Sequence, residues 1–536
     1  MVGRKVSYIF CFLIAWLASH AYSEKSNEVT LRTAIFRAHD ITRFDPINSG
    51  KMSDRIITSA LYSNLFESNM DRQNISLAGG IAESYQWQKN NTLEIQIRDL
   101  PWVVGRVSGG DVAFSFKRVF VKSDSTISKT LARYLCGKER LQSVDEKCDG
   151  INYSQRSISL TFPRKLPGIP ALLRNSQLAI VPRISVDPKN LNIQDYSKTT
   201  GPYRHAGKSS SGHILLKANS GHWNRDKSAS TIVIMADDYI SIDGKNTPKS
   251  YLEFVKGNLD FLPLSNIWYD NSFFAKAIES QPSEVFTTNE MSVAGMVFTK
   301  KGFNQMSPKV RRKVSLDIQN QIQRKLKERR KKSKKRKLFG YARIVNQFVA
   351  KGAFGSLSNR QIDFLEQEVA NGTSVSRNRK TIVGVNPSII SFLKKAIKHN
   401  GTYDLREVDK DKRYHLIDVD PGKDALEHPD LIELGVTAGY AESPSTFAHF
   451  FDIGLFKAAD NKSSFDILDN YLSLSKRERM ELFRQIHFDS LFTNPSIIPL
   501  WSYPSVAIYR DDWALDISKN STISPLWLVK KKEMGK

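Results

Sequence analysis

A chain of 536 residues is longer than one hydrophobic core usually supports, which excludes a single two-layer domain and predicts two or three packed subdomains with room for a cleft. Hydrophobic residues at 40% and charged residues at 25% are ordinary for a soluble globular protein, and exclude both wholesale disorder and a helical membrane bundle. The formal net charge of +24 points to an anionic partner only if the charge is spread over a surface rather than gathered in one segment.

In chain order, the first element concerns targeting. Arg4 and Lys5 precede an apolar run from Tyr8 to Ala18, and small residues follow at Ala21 and Ser23. This is the pattern of a secretory signal peptide over residues 1–23. The run is shorter than the roughly 20 apolar residues that span a bilayer core, so it is not read as an anchor. A lipid anchor needs a cysteine directly after the cleavage site, whereas Cys11 lies inside the run. The mature chain is expected to be exported and free in its compartment. Cleavage leaves Cys136 and Cys148 where disulfides persist; they make one possible bridge, worth roughly 3 kcal/mol, or two free buried thiols.

Further along, Leu93, Ile95 and Ile97 alternate with polar residues after Asn90-Asn91, which predicts a turn and a half-buried strand. Ser108-Gly-Gly-Asp111 precedes Val112, Phe114 and Phe116, so a helix should start near residue 109 with Ser108 as its cap and Asp111 reaching back. Phe162-Pro163 and Pro167 to Pro170 interrupt the chain before Leu172-Leu173. Val310 to Ile322 reads as a helix, and the tract 324–337 that continues it holds eleven basic residues against Glu328. That tract carries +10 of the +24. It is either a solvated helix or surface loop, or a footprint for lipid headgroups, envelope polyanions or nucleic acid. No aromatic residue interleaves it to stack bases.

Strand-like and helix-like stretches alternate throughout, without a solenoid repeat or a long linker, so the fold class is α/β with discontinuous subdomains. No CxxC, HExxH or GxSxG spacing occurs, and His205, His213, His222 and His399 fit no metal or nucleophile pattern. No cofactor, metal or catalytic role is expected.

Several short segments, in order, resemble the extracellular solute-binding proteins of family 5, the oligopeptide, dipeptide and nickel type. Phe44-Asp45-Pro46 and Leu61-Tyr62-Ser63-Asn64-Leu65 are similar to its "LDP" turn and "LYEGL" helix. Ile81 to Ser84, Trp87, Ile97-Arg98-Asp99, Trp102, Gly105, Asp111 to Ser115 and Arg118 resemble its "LAESW", "FxLRxxxxWxDG" and "DVxFSxxR" run. Gly201-Pro202-Tyr203, Asn219, Trp223, Phe254, Gly257, Asp260-Phe261, Arg311-Arg312 and Ile498-Pro499-Leu500 match later segments. Gly201-Pro202 is a turn and Asp45-Pro46 breaks a strand, so most of these residues read as scaffold.

The resemblance implies a two-lobed periplasmic binding protein fold of the large type II class with three discontinuous subdomains. The boundaries placed on it are lobe 1 over 24–66, 181–288 and 498–536, a domain inserted in lobe 1 over 67–180, and lobe 2 over 289–497. Leu431 to Phe447 resembles the strand and loop that line the family's cleft. Where peptide-binding relatives carry an aspartate for the ligand's ammonium group, this chain has Gly439, and Val436 replaces a large aromatic. Glu442 either substitutes for that aspartate or is a solvent-facing loop carboxylate. Gly435, Thr437 and Ala438 are expected to offer backbone contacts to a ligand held as an added strand. Trp501 and Tyr503 either touch ligand or pack in the core.

The implied function is that of a periplasmic substrate-binding protein of an ABC importer. It would capture a peptide or peptide-like solute by lobe closure and pass it to a permease, as a monomer, with no nucleic acid and peripheral or no membrane contact. Two other readings stand beside it. One is an exported binding protein that has left transport to act as chaperone, sensor or surface-interaction protein; the other is an envelope hydrolase, which needs an acid/base pair the sequence does not display.

Overall fold

The structure, a computed structural model, describes residues 29–532 apart from 37, 49–51, 70–73, 77–79, 224–227, 243–244, 265–280, 290–291, 333–342, 372–379, 386, 398–401, 409–414, 419–426, 438–441, 453–455, 457–462 and 521–525. The predicted signal peptide lies outside the described residues, and among those described no helix is long and apolar enough to cross a membrane.

Three sheets organise the chain. The largest has seven strands in the order Ser283–Thr287, Val506–Arg510, Phe261–Leu264, Thr30–Phe36, Thr231–Asp237, Ile214–Ala218 and Tyr203–Lys208. Thr30–Phe36 is central and runs parallel to both of its neighbours. Its β-branched and apolar residues suit a strand covered on both faces. A second sheet orders Arg343–Ile344, Ile497–Tyr503, Ser292–Phe298, Leu431–Thr437, Thr381–Val385 and Tyr403–Glu407. A third, of four antiparallel strands, is built from residues 82–161.

Local expectations are met where the signal was local. The strand Thr92–Ile97 buries Leu93, Ile95 and Ile97, and Asn91 takes a positive φ of 59° in the turn before it. Helix Gly109–Lys122 begins in a capping box, with Ser108 accepting from the Asp111 amide and the Asp111 carboxylate accepting from the Ser108 amide. Helix Pro308–Lys332 buries Val314, Ile318, Ile322 and Leu326 as one stripe, the four-residue spacing of a helix packed on one face. The basic tract starts on this helix with Arg324 and Lys327 exposed; residues 333–337 lie outside the described residues. Helix Thr126–Cys136 ends at left-handed Gly137, and the sulfurs of Cys136 and Cys148 lie 2.08 Å apart.

The motif residues are largely scaffold. The buried Arg118 guanidinium donates to both carboxylate oxygens of Asp45 and to the Leu191 carbonyl, joining two motifs far apart in sequence. A Cβ on Gly201 would stand 2.6 Å from the Ala60 carbonyl oxygen, so only glycine lets this turn lie against the end of the Met52–Leu61 helix. Asn219 Nδ2 donates to the Gly201 carbonyl at 2.7 Å, and Asp260 clamps Arg32 through three hydrogen bonds.

One expected boundary shifts. Lobe 1 was expected to resume at residue 498, but Ile497–Tyr503 belongs to the second sheet. Ser292–Phe298 pairs with this strand as far as Tyr503, which holds it in lobe 2, and Pro504, lacking an amide hydrogen, ends the pairing. The crossing to the seven-stranded sheet is made at Pro504-Ser505.

Candidate ligand-binding cleft

Two strand crossings join the large sheets. Ser283–Thr287 leads into Ser292–Phe298, and Ile497–Tyr503 leads into Val506–Arg510. They are tied side by side, with the Thr288 amide donating to the Ser505 carbonyl at 3.0 Å and the Ser505 amide donating to Thr288 Oγ1 at 2.9 Å. Two short extended segments linked this way can bend together while the sheets on either side stay intact, which is the construction of a hinge.

The C-terminal end of Leu431–Thr437 lies beside this hinge, because Ser292 pairs with both Thr437 and Tyr503. Gly435 is solvent-exposed there, and among the described residues a Cβ on it would meet the Tyr503 hydroxyl, at 3.2 Å. Tyr503 is half-buried. Val436 and Thr437 continue the strand, but their side chains are not among those described, and Ala438 and Gly439 lie outside the described residues.

Two expected ligand contacts have other duties. Trp501 is fully buried and meets Phe392 edge-on with ring centroids 5.6 Å apart. It packs in the core between the second sheet and its helices, so of its two readings the core one fits. Glu442 is neither solvent-facing nor open to a ligand ammonium group. Its buried carboxylate pairs with Arg479 Nε, and Arg479 also donates to the Leu474 carbonyl. The partner sits on helix Lys476–Phe488, remote in sequence, which is why Glu442 read as a free loop residue.

Other residues, unflagged by the sequence, have their titration shifted by desolvation. Arg55, on helix Met52–Leu61, has a buried Nε without a hydrogen-bond partner among the described residues, and desolvation lowers its pKa. Across from it, His449 lies on helix Pro444–Asp452 of lobe 2. Desolvation lowers the His449 pKa, with Asp452 opposing and the charge of Arg55 adding to the effect. Yet the His449 side chain is open to solvent. Glu67 repeats the pattern: it is half-buried, and desolvation raises its carboxyl to about 7 against the pull of Arg174. Arg174 in turn donates to the Glu442 backbone carbonyl in lobe 2.

The segment that carries the four-stranded sheet also touches the helices that follow Leu431–Thr437. Asp452 accepts from the Thr126 hydroxyl. Asp469 accepts from the Tyr134 hydroxyl and from Arg164, the latter at 2.6 Å. The Gly168 amide donates to the Leu472 carbonyl at 3.1 Å. These contacts tie residues 126–168 to helices Pro444–Asp452 and Ser464–Ser473. Among the described residues no group of His, Cys, Asp and Glu is placed to hold a metal ion.

No protein-family profile matches the sequence, and no curated protein matches it. Solved structures do. The murein tripeptide binding protein MppA of Escherichia coli superposes with a TM-score of 0.66 at 14% identity, over 94% of this chain and 99% of that one. The periplasmic binding protein DppA of Helicobacter pylori, in complex with peptide STSA, gives 0.66 at 16% identity, over 95% and 100%. MoaA of A. tumefaciens R10, in complex with mannopinic acid, gives 0.65 at 14% identity, over 94% and 100%. This chain thus has the two-lobed fold of periplasmic solute-binding proteins such as these.

Proposed function

We propose that this protein is the exported substrate-binding component of an ABC importer, which captures a small solute between its lobes by closing on the hinge and presents it to a permease. The observation that carries the reading is the pair of strand crossings, tied to each other at Thr288 and Ser505, that joins the two large sheets. Capture in this way needs shape and charge, not bond chemistry. Removal of residues 1–23 on export, a bond between Cys136 and Cys148, action as a monomer and docking to a permease complete the proposal.

The neighbours do not narrow the solute. One is described with a peptide and another with mannopinic acid at nearly equal likeness, so the class of ligand is set by the side chains of this cleft rather than by the fold. Peptide capture through a free ammonium group has no support from Glu442, which Arg479 occupies. Gly435, exposed beside the hinge, is the residue best suited to let an extended solute approach a strand closely.

The test is native mass spectrometry of the mature protein purified gently from its own compartment, compared with the denatured mass. A retained solute appears as the difference between the two. A chain that is empty, and whose melting temperature is unmoved by peptide and amino-acid-conjugate pools, would contradict capture.

A further inference from the structure

Helix Pro308–Lys332 changes character at Leu326. Up to that residue the fold holds it: Val314, Ile318, Ile322 and Leu326 are buried, and its early arginines are bound by carbonyls. Arg311 donates to Phe303 and Pro495, and Arg312 donates to Phe492. Gln319 Nε2 donates to the Pro499 carbonyl at 2.9 Å. After Leu326 the helix continues through residues 327–332 without one apolar side chain to anchor it, a length of about 9 Å.

Residues 324–332 hold seven lysines and arginines and one carboxylate, Glu328, which lies 3.0 Å from Lys325. Arg324 and Lys327 are exposed and have no hydrogen bond or ion pair among the described residues. The helices packed against this one do not supply the missing anions. Asn359–Ala370 brings Asp363 and Glu366 to the surface, and Pro387–Ala396 brings Lys394 and Lys395, so the two offset each other. A helix dipole favours cations in the last turn. It does not account for a run of seven, in which Lys325 and Arg329, or Lys327 and Lys331, stand at the four-residue spacing where like charges repel.

We propose that the end of this helix, residues 324–332, is a docking site for a bilayer surface of anionic phospholipid. The proposal goes beyond solute capture and does not depend on it. A protein partner is normally met through aromatic and apolar anchors at an interface core from which lysine is depleted. Residues 324–332 offer only Leu326, and it is buried. Single-stranded nucleic acid is met by stacking on aromatic rings, of which the run has none. A lipid surface needs neither anchor nor ring. Its phosphates present no fixed register, so a dense set of long cationic side chains matches it by charge. The effect is to concentrate the protein at a membrane surface.

The experiment is co-sedimentation of the mature protein with vesicles of phosphatidylethanolamine and phosphatidylglycerol, and with vesicles of phosphatidylcholine alone. Wild type should sediment with the anionic vesicles only, and added salt should release it as screening shortens the reach of each charge. Arg324→Gln/Lys327→Gln should weaken partition about 20- to 30-fold, roughly fivefold for each cation near an anionic surface. Lys309→Gln/Lys313→Gln removes the same charge from exposed positions at the other end of the helix and should bind as wild type does. Equal loss in both pairs would mean that net charge alone acts and would overturn the proposal. So would equal sedimentation with both kinds of vesicle, or none with either.

Glutamine keeps helix propensity, so both pairs should melt with wild type. A reading that needs no variant is amide hydrogen exchange of wild type, in which anionic vesicles should protect residues 324–332 and leave the seven-stranded sheet unchanged. Absence of that protection would overturn the proposal. Finally, binding of duplex DNA that Arg324→Gln/Lys327→Gln loses, by a protein that ignores the anionic vesicles, would overturn it in favour of nucleic acid.

Discussion

Replacing Glu442 by glutamine separates two roles that one carboxylate can have. If its role is to neutralise Arg479, the variant keeps shape and one acceptor oxygen but leaves the guanidinium buried without a counter-charge. Removing one member of a buried ion pair costs about 3–5 kcal/mol. Arg479 retains the Leu474 carbonyl and the Tyr471 ring, whose centroid is 6.0 Å away, and the new amide oxygen still accepts. The lower end, about 3 kcal/mol, is therefore expected. For a unit the size of lobe 2 this lowers the melting temperature by roughly 6–12 °C. Calorimetry of the ligand-free protein measures it, and adding Arg479→Met should restore much of the loss, because two apolar or neutral groups no longer leave a charge stranded. An unchanged melting temperature combined with lost solute binding would refute the reasoning and return Glu442 to the ligand.

Three further outcomes follow from the same kind of accounting of partners. His487 is fully buried, with the Phe348 amide donating to its Nε2 at 2.9 Å, and burial pushes its pKa down to about 4. The unfolded chain therefore takes up the proton first, and stability is lost as pH falls from about 6.5 to about 4, by about 3 kcal/mol in all; His487→Gln should flatten the slope of melting temperature against pH in that window. Reducing the Cys136–Cys148 bond should cost roughly 3 kcal/mol and raise amide hydrogen exchange in residues 137–150 while leaving the seven-stranded sheet unaffected. Asp469→Ala removes the acceptor for Tyr134 and Arg164, so it should favour separation of the lobes. Small-angle scattering of the ligand-free variant should then give a larger radius of gyration, and an unchanged radius would mean that these contacts do not hold the closed state.

What the sequence disclosed was what neighbours in the chain decide. Ser108 and Asp111 are three residues apart, so their reciprocal cap could be read directly, and the alternation of Leu93, Ile95 and Ile97 fixed a buried face. Asp45 and Arg118 each stood in a recognisable segment, but nothing in either announced that they bond to each other. Glu442 looked available because its partner arrives from a helix that starts more than thirty residues later. Trp501 looked like a contact residue because an aromatic after Pro499 has no local sign of which face it takes; the pairing of Ile497–Tyr503 with Ser292–Phe298 decides that. Arg55 gave no signal at all. That its Nε has no acceptor among the described residues is a property of the folded arrangement alone.

Solute capture between the lobes is tested most directly by the native and denatured masses of the gently purified mature protein, measured for wild type and for Gly435→Trp, which fills the exposed strand position beside the hinge. The account predicts that wild type releases a discrete small solute and that the tryptophan variant, folded to the same melting temperature, carries none. An identical retained mass in both proteins, or none in either together with no response to offered solutes, would contradict it.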